Sequence, residues 1–107
     1  MKVFIIRDRS GIRAEAEYCV ETKECTVLKG STVSIDVCHE GKFRGGKTIE
    51  RERDDAVKNN VVIKDKVFKS ASTAANFVTG HSTNGLTAWK DINGKTIKQL
   101  LKEAENE

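Results

Sequence analysis

Apolar and polar residues alternate with period two from Ile12 to Val20, where Ile12, Ala14, Ala16, Tyr18 and Val20 interleave with Arg13, Glu15, Glu17 and Cys19. That spacing predicts a strand with one buried face, because successive strand side chains point to opposite sides. The short apolar run "KVFII" ahead of it predicts a second strand, and the polar "ETKE" after it predicts a turn into "CTVLKG". A hairpin that pairs Val20 with Cys25 also sets Tyr18 opposite Val27. Cys19 and Cys25 then face opposite sides.

After Gly30 the pattern weakens. "STVSIDVCHE" alternates Val33, Ile35 and Val37 and predicts a further strand, and the glycine-rich "GKFRGG" predicts a loop. "TIERERDDAVKNN" predicts a surface helix over 48–59, with Thr48 as its cap, Glu50 in its first turn, a stripe of Ile49, Ala56 and Val57, and a stop at Asn59 and Asn60. "VVI" and "KVF", separated by "KDK", predict two short strands or one bent one.

The helix signals agree best in "SASTAANFVTG". Ser70 stands as N-cap, Ala71, Ala74, Ala75 and Val78 fall at helical spacing, and Gly80 occupies the position of a closing glycine, so a helix is expected over 71–79. Its small residues allow close approach to a sheet. Asn84-Gly85 predicts a tight turn into a strand "LTAWK", whose Trp89 offers the largest apolar surface in the chain. A further turn is expected at Asn93-Gly94. Thr96 and Gln99 then form a capping box for a helix over 97–105 that buries Ile97, Leu100, Leu101 and Ala104. The expected fold is α+β: an antiparallel sheet built from hairpins with about three short helices packed on one face. It forms one domain over 1–107, divided into a hairpin region 1–40, a glycine-rich loop 41–47 and a C-terminal region 61–105.

Composition narrows the function classes. A chain of 107 residues holds one modest core, and 33% charged with 37% hydrophobic residues fits a soluble globular domain. The opening "MKVFIIRDRS" is too short an apolar stretch for a signal peptide or membrane span, so a cytoplasmic location is expected. Net charge +3 and a pI near 8.8 favour an acidic partner mildly. Three cysteines, Cys19, Cys25 and Cys38, predict reduced thiols, and the spacing lacks the short knuckle of a zinc site.

One motif points to nucleotides. "GKFRGGKT", Gly41 to Thr48, fits the phosphate-loop pattern, which works when a buried parallel strand delivers the loop to a helix N-terminus. The hairpin-rich remainder argues instead for a basic loop leading into a capped helix, so the nucleotide reading is the remote alternative. His39 lies beside Cys38 and near Asp36, but adjacent strand residues point apart, and His81 follows a helix-closing glycine. No catalytic residue, metal site or cofactor is therefore expected, and the chain is not expected to be an enzyme.

The stretch Phe68 to Leu100, "FKSASTAANFVTGHSTNGLTAWKDINGKTIKQL", with its Ser-x-Ser, Gly-x-Ser-x-Asn-Gly, Trp-Lys and Gly-Lys-Thr elements, resembles a bacterial family of unknown function. "CTVLKGSTVS" resembles the same family's earlier strand. Ala71 and Leu86 depart from it, standing where the family usually has proline and often has tryptophan. Members are often appended to GIY-YIG nucleases and to proteins of restriction and modification, and the domain is similar to one proposed to associate with adenine methylases. The resemblance implies an accessory module near DNA, whose partners are DNA, a GIY-YIG nuclease or a DNA methylase. The residues offer a phosphate seat at the 71–79 helix N-terminus: Ser70, Ser72 and Thr73, the preceding Lys64, Lys66 and Lys69, and Asn84 and Lys90. The competing reading is a protein-interaction or structural domain without nucleic-acid contact.

Overall fold

The computed structural model describes residues 1–35 and 46–105. Its elements are, in chain order, β1 (Lys2–Arg7), β2 (Ile12–Tyr18), β3 (Cys25–Val27), α1 (Gly46–Asp54), β4 (Val57–Lys58), β5 (Val61–Val62), β6 (Lys66–Phe68), α2 (Ala71–Thr79), α3 (Gly85–Ala88) and α4 (Ile97–Glu105). Strands β1-β2-β3-β6 form a four-stranded sheet in that order, and β4 pairs with β5 in a small hairpin. Every one of these pairs is antiparallel. The α+β architecture expected from the pattern is the one observed.

Alternation along the strands sorts the sheet into two faces. Val3 and Ile5, then Ile12, Ala14, Ala16 and Tyr18, with Cys25, Val27 and Phe68, are buried on one of them. Helix α2 covers that face with Ala71, Ala74, Ala75, Phe77 and Val78, and the Phe77 ring meets Phe68 at 4.9 Å between centroids. Alanines at three of those positions let the helix backbone sit close, while Phe77 supplies the bulk. Arg13, Glu17 and Val67 face solvent on the opposite side.

Helix ends follow local chemistry. The Ser70 hydroxyl accepts from the Thr73 N–H at 3.1 Å, and Gly80, at φ 81°, closes α2 by donating its N–H to the Asn76 carbonyl. At α4 the box is reciprocal: Thr96 N–H donates to Gln99 Oε1 at 2.9 Å, and Gln99 N–H to Thr96 Oγ1 at 3.2 Å. Ile97 is buried, Leu100 and Leu101 are half-buried, and Ala104 is exposed, so the buried stripe is one turn shorter than expected.

Several expectations are corrected. The second hairpin pairs Tyr18 with Cys25 and Ala16 with Val27, two residues from the expected register. Lys23, in the left-handed region at φ 66°, donates its N–H to the Cys19 carbonyl, so Val20 to Lys23 are consumed by the loop and the strand stops at Tyr18. A slip of two preserves the faces, and Cys19 remains exposed while Cys25 is buried. Helix α1 begins at Gly46 and ends at Asp54, five residues short of the expected end, with Thr48 inside its first turn. Asn59 and Asn60 do not stop a helix. They sit at φ 53° and 65°, the two left-handed positions of a tight hairpin turn between β4 and β5.

In "LTAWK" the chain forms the short α3, because Asn84 Oδ1 accepts from the Leu86 N–H at 3.0 Å and so caps a helix instead of starting a hairpin. Only Lys90 has strand-like pairing, bridging Phe4 and Thr96. "STVSIDV" likewise yields no strand among the described residues. Thr32 bridges Arg13 and Val61, Val33 is buried, Ile35 is exposed, and Val37 lies outside the described residues.

Arg53 joins the helices to the loop before them. From α1 its guanidinium donates to the Phe77 carbonyl at 3.0 and 2.7 Å, to the Val78 carbonyl at 3.3 Å, to the Ser34 carbonyl at 2.9 Å and to the Ser34 hydroxyl at 3.0 Å. Its carbon also lies 5.9 Å from the Phe77 ring centre. Asn60 donates to the same Ser34 carbonyl at 3.1 Å. Arg53→Ala takes the side-chain donor from the Phe77 carbonyl, while the Ser34 carbonyl keeps Asn60 and the Val78 carbonyl keeps the Ser34 N–H, and lowers unfolding free energy by about 2–4 kcal/mol. Arg53→Lys recovers only part of the loss, since one ammonium cannot reproduce a planar fork. Urea denaturation followed by Trp89 fluorescence measures both; a loss under half of that range for the alanine variant contradicts the assignment.

Candidate nucleic-acid interface

The structure gathers Ser70, Ser72, Thr73 and Asn84 at the junction of α2 and α3, and engages their side-chain oxygens with one another and with backbone N–H groups. Ser70 caps α2 and its hydroxyl lies 2.9 Å from that of Thr73. Ser72 Oγ accepts from the Gly85 N–H at 3.0 Å, while Asn84 caps α3. Trp89, fully buried, donates its indole N–H to the Ala71 carbonyl at 2.9 Å. Gly85 lies so close to α2 that a Cβ there would fall 2.1 Å from the Ala71 carbonyl carbon. The family-like signature is thus a set of residues that bond to one another.

The lysines around this junction differ in their freedom. Lys64 pairs with Asp55 at 2.9 Å, and Lys66 with Glu52 at 2.9 Å and Asp55 at 3.4 Å. The hydrogen bond to Glu52 raises the Lys66 ammonium above its ordinary pKa, and the one from Lys64 holds the Asp55 carboxyl below its own. Lys69 is exposed with no ion pair among the described residues. Lys90 is not at the junction: its backbone exchanges hydrogen bonds with Phe4 at 2.7 and 3.0 Å on the edge of the sheet.

A second basic surface lies at the other end of β1. There the last residue of β1, the 3-10 turn Asp8–Ser10, Ser34 and Ile35, and the end of α2 enclose an open polar groove of about 690 Å³. Arg7 and Arg9 line it together with Thr79, Gly80 and His81. Arg7 shares the strand parity of Val3 and Ile5, which sends its side chain to the helix-bearing side. Asp8, the carboxylate of this turn, is taken by Arg13 at 3.0 Å. Arg7 and Arg9 have no carboxylate partner among the described residues. The His81 loop is braced: Thr79 Oγ1 donates to the His81 carbonyl at 3.1 Å, and Nδ1 of His81 lies 3.0 Å from the Ser82 carbonyl.

Two guanidinium groups with no carboxylate partner among the described residues can grip phosphate or carboxylate oxygens in bidentate fashion. Pattern reading missed both arginines, although "RDRSG", a basic pair straddling an aspartate at a hairpin tip, was the available signal. Of the phosphate-loop motif, Gly41 to Gly45 lie outside the described residues, while Lys47 and Thr48 are exposed on α1. The segment before it is no strand among the described residues, and no described pair is parallel, so the frame that such a loop requires is not found there. Asp36, Cys38 and His39 also lie outside the described residues.

Fold and surface together define an antiparallel α+β domain with a structural C-terminal signature and two arginines at a hairpin tip that have no carboxylate partner among the described residues. The chain belongs to the family described as a domain of unknown function (DUF4357), whose model matches residues 4–101. No curated protein and no solved structure matches it. Among the described residues, no helix is long and apolar enough to cross a membrane.

Two predictions follow from this geometry. Gly85→Ala forces α3 away from the first turn of α2 and destabilises by about 3 kcal/mol. Gly94→Ala, where φ is +82° but no atom lies within 4 Å of the new Cβ, costs only the left-handed strain of about 1 kcal/mol; thermal unfolding ranks the two, and equal losses contradict the packing argument. The thiols also separate. Hydrogen bonds from the Thr22 side chain and from the Thr22 and Glu21 N–H groups lower the pKa of exposed Cys19, whereas burial pushes the Cys25 thiol up to about 12. In a Cys38→Ser background, a thiol reagent modifies Cys19 in the native protein and Cys25 only once denaturant is added.

Proposed function

We propose that this chain is an accessory, non-catalytic module that associates with DNA, seating backbone phosphates against Arg7 and Arg9. The observation that carries the reading is their freedom among the described residues: Lys64 and Lys66 are neutralised by Asp55 and Glu52, but these two guanidinium groups share a polar groove and pair with no described acid. Planar forks suit phosphate better than ammonium groups do. The closing turn of α2 does not oppose an anion here, because Arg53 occupies the Phe77 and Val78 carbonyls that would otherwise present negative dipole ends. The resemblance to domains appended to GIY-YIG nucleases and linked to methylases supports the same setting, in which a companion protein supplies the chemistry and this module supplies contact.

Such contact is backbone-directed and salt-dependent. Fluorescence anisotropy on a labelled DNA duplex, titrated with protein at several salt concentrations, tests it. Arg7→Ala with Arg9→Ala weakens binding about tenfold or more and flattens the salt slope by about two units, one for each lost phosphate contact. Lys66→Glu alone has little effect, since its ammonium already belongs to Glu52 and Asp55. If Lys69→Glu weakens binding and the arginine pair does not, the seat is the α2 N-terminus instead. Absence of any salt-sensitive binding removes the DNA reading.

A further inference from the structure

A second groove, of about 500 Å³, runs along the outer edge of β1 and shares only Arg7 with the DNA seat. β1 is the edge strand of the sheet. In its ladder with β2 the hydrogen-bonded positions are odd-numbered, as the Met1–Tyr18 exchange shows. Even-numbered residues therefore aim their N–H and C=O outward. Phe4 uses both groups on Lys90. Ile6, two residues on, points the same way and meets no backbone partner among the described residues. The segment after Lys90 cannot reach it, because Asp91 folds back into a turn, accepting the Asn93 and Lys95 N–H groups on Oδ1 at 2.9 Å each.

The side chains around this open position are unusual for a solvent-facing edge. Ile6 is 60% exposed and Ile92 86%, and both line the groove. Its charges are Arg7 and Lys90 against Asp91, two cations to one anion, so the net sign is positive, and the carboxylate is turned to the N–H groups of its own loop. An exposed edge with apolar flanks is a template for strand addition.

We propose that this groove docks a short extended segment of a protein partner in which branched aliphatic side chains alternate with carboxylates. The segment pairs its backbone with Ile6, lays one aliphatic side chain between Ile6 and Ile92, and sets its carboxylates near Lys90 and Arg7. A peptide fits better than a nucleic-acid backbone because Ile6 presents both a donor and an acceptor, and phosphates would leave the acceptor unmet and the isoleucines in water.

The test uses the full chain and a fluorescein-labelled seven-residue probe alternating glutamate with valine, followed by anisotropy. Saturable binding is expected, and a probe with lysine in place of glutamate is not expected to bind. Ile6→Pro removes the outward N–H without touching the ladder to β2, and abolishes binding while Trp89 fluorescence stays native. Ile92→Lys, at a position too exposed to matter for folding, weakens binding about tenfold, the loss of one anchor; this variant carries the test if the proline variant does not fold. Arg9→Ala, which lines only the polar groove, leaves probe binding unchanged and so separates this proposal from the DNA reading. The proposal is overturned if no binding occurs up to about 1 mM, if the lysine probe binds equally, if Ile92→Lys binds as wild type, or if Arg9→Ala weakens binding as much as Ile92→Lys does.

Discussion

One half-buried cation, the Arg53 guanidinium, ties α1, the Ser34 turn and the last turn of α2 into one body. Its acceptors come from segments 19 to 25 residues away in sequence, so no local propensity can replace it. Burial pulls its pKa down to about 10, and the group remains charged at neutral pH. The five hydrogen bonds from it, to carbonyls and one hydroxyl, replace the water it has lost, and the carboxyl end of α2 adds a favourable dipole. An apolar side chain of the same size would offer the Phe77 carbonyl no donor, while the Ser34 and Val78 carbonyls would keep Asn60 and the Ser34 N–H. The placement of Thr79, Gly80 and His81, and hence one wall of the polar groove, depends on that closure.

The C-terminal half is organised by contact distance. Ala71 does three things at once: it packs into the core from the first turn of α2, offers its carbonyl to the Trp89 indole, and leaves space for Gly85 to press against its backbone. A larger residue at either position pushes α3 outward and strains the Trp89 hydrogen bond. Ser72 and Asn84 then satisfy N–H groups in the chain that crosses over α2. Residues that look like a binding motif when read in a line are, in three dimensions, the fasteners of the core.

How far the sequence was legible depended on whether the deciding interaction was local. Helices α2 and α4 were readable to the residue because Ser70, Gly80, Thr96 and Gln99 act within one turn of themselves. Asn59-Asn60 and Asn84-Gly85 misled because asparagine serves equally as helix stop, hairpin turn and N-cap, and only the partners choose among these. The same limit applied to the surface. Lys64 and Lys66 looked free in "VVIKDKVFK", and their neutralisation comes from Glu52 and Asp55 on and just after a helix 9 to 14 residues earlier. Arg7 and Arg9 became visible only when the hairpin tip was set against the end of α2.

Arg7 lines both grooves, which gives the two proposed contacts a shared term. Both ligands are anionic, and a guanidinium fork engaged by a phosphate has fewer donors left for a carboxylate on its other side. A coupling that passes through one charge is reciprocal: whatever DNA subtracts from the affinity for an acidic segment, the segment subtracts from the affinity for DNA. Lys90 and Arg9 each line one groove alone, so each preserves a part of one affinity that the other ligand does not touch. Under the two proposals DNA and an acidic segment compete for one arginine, and that shared charge, with no conformational change, is enough to couple them.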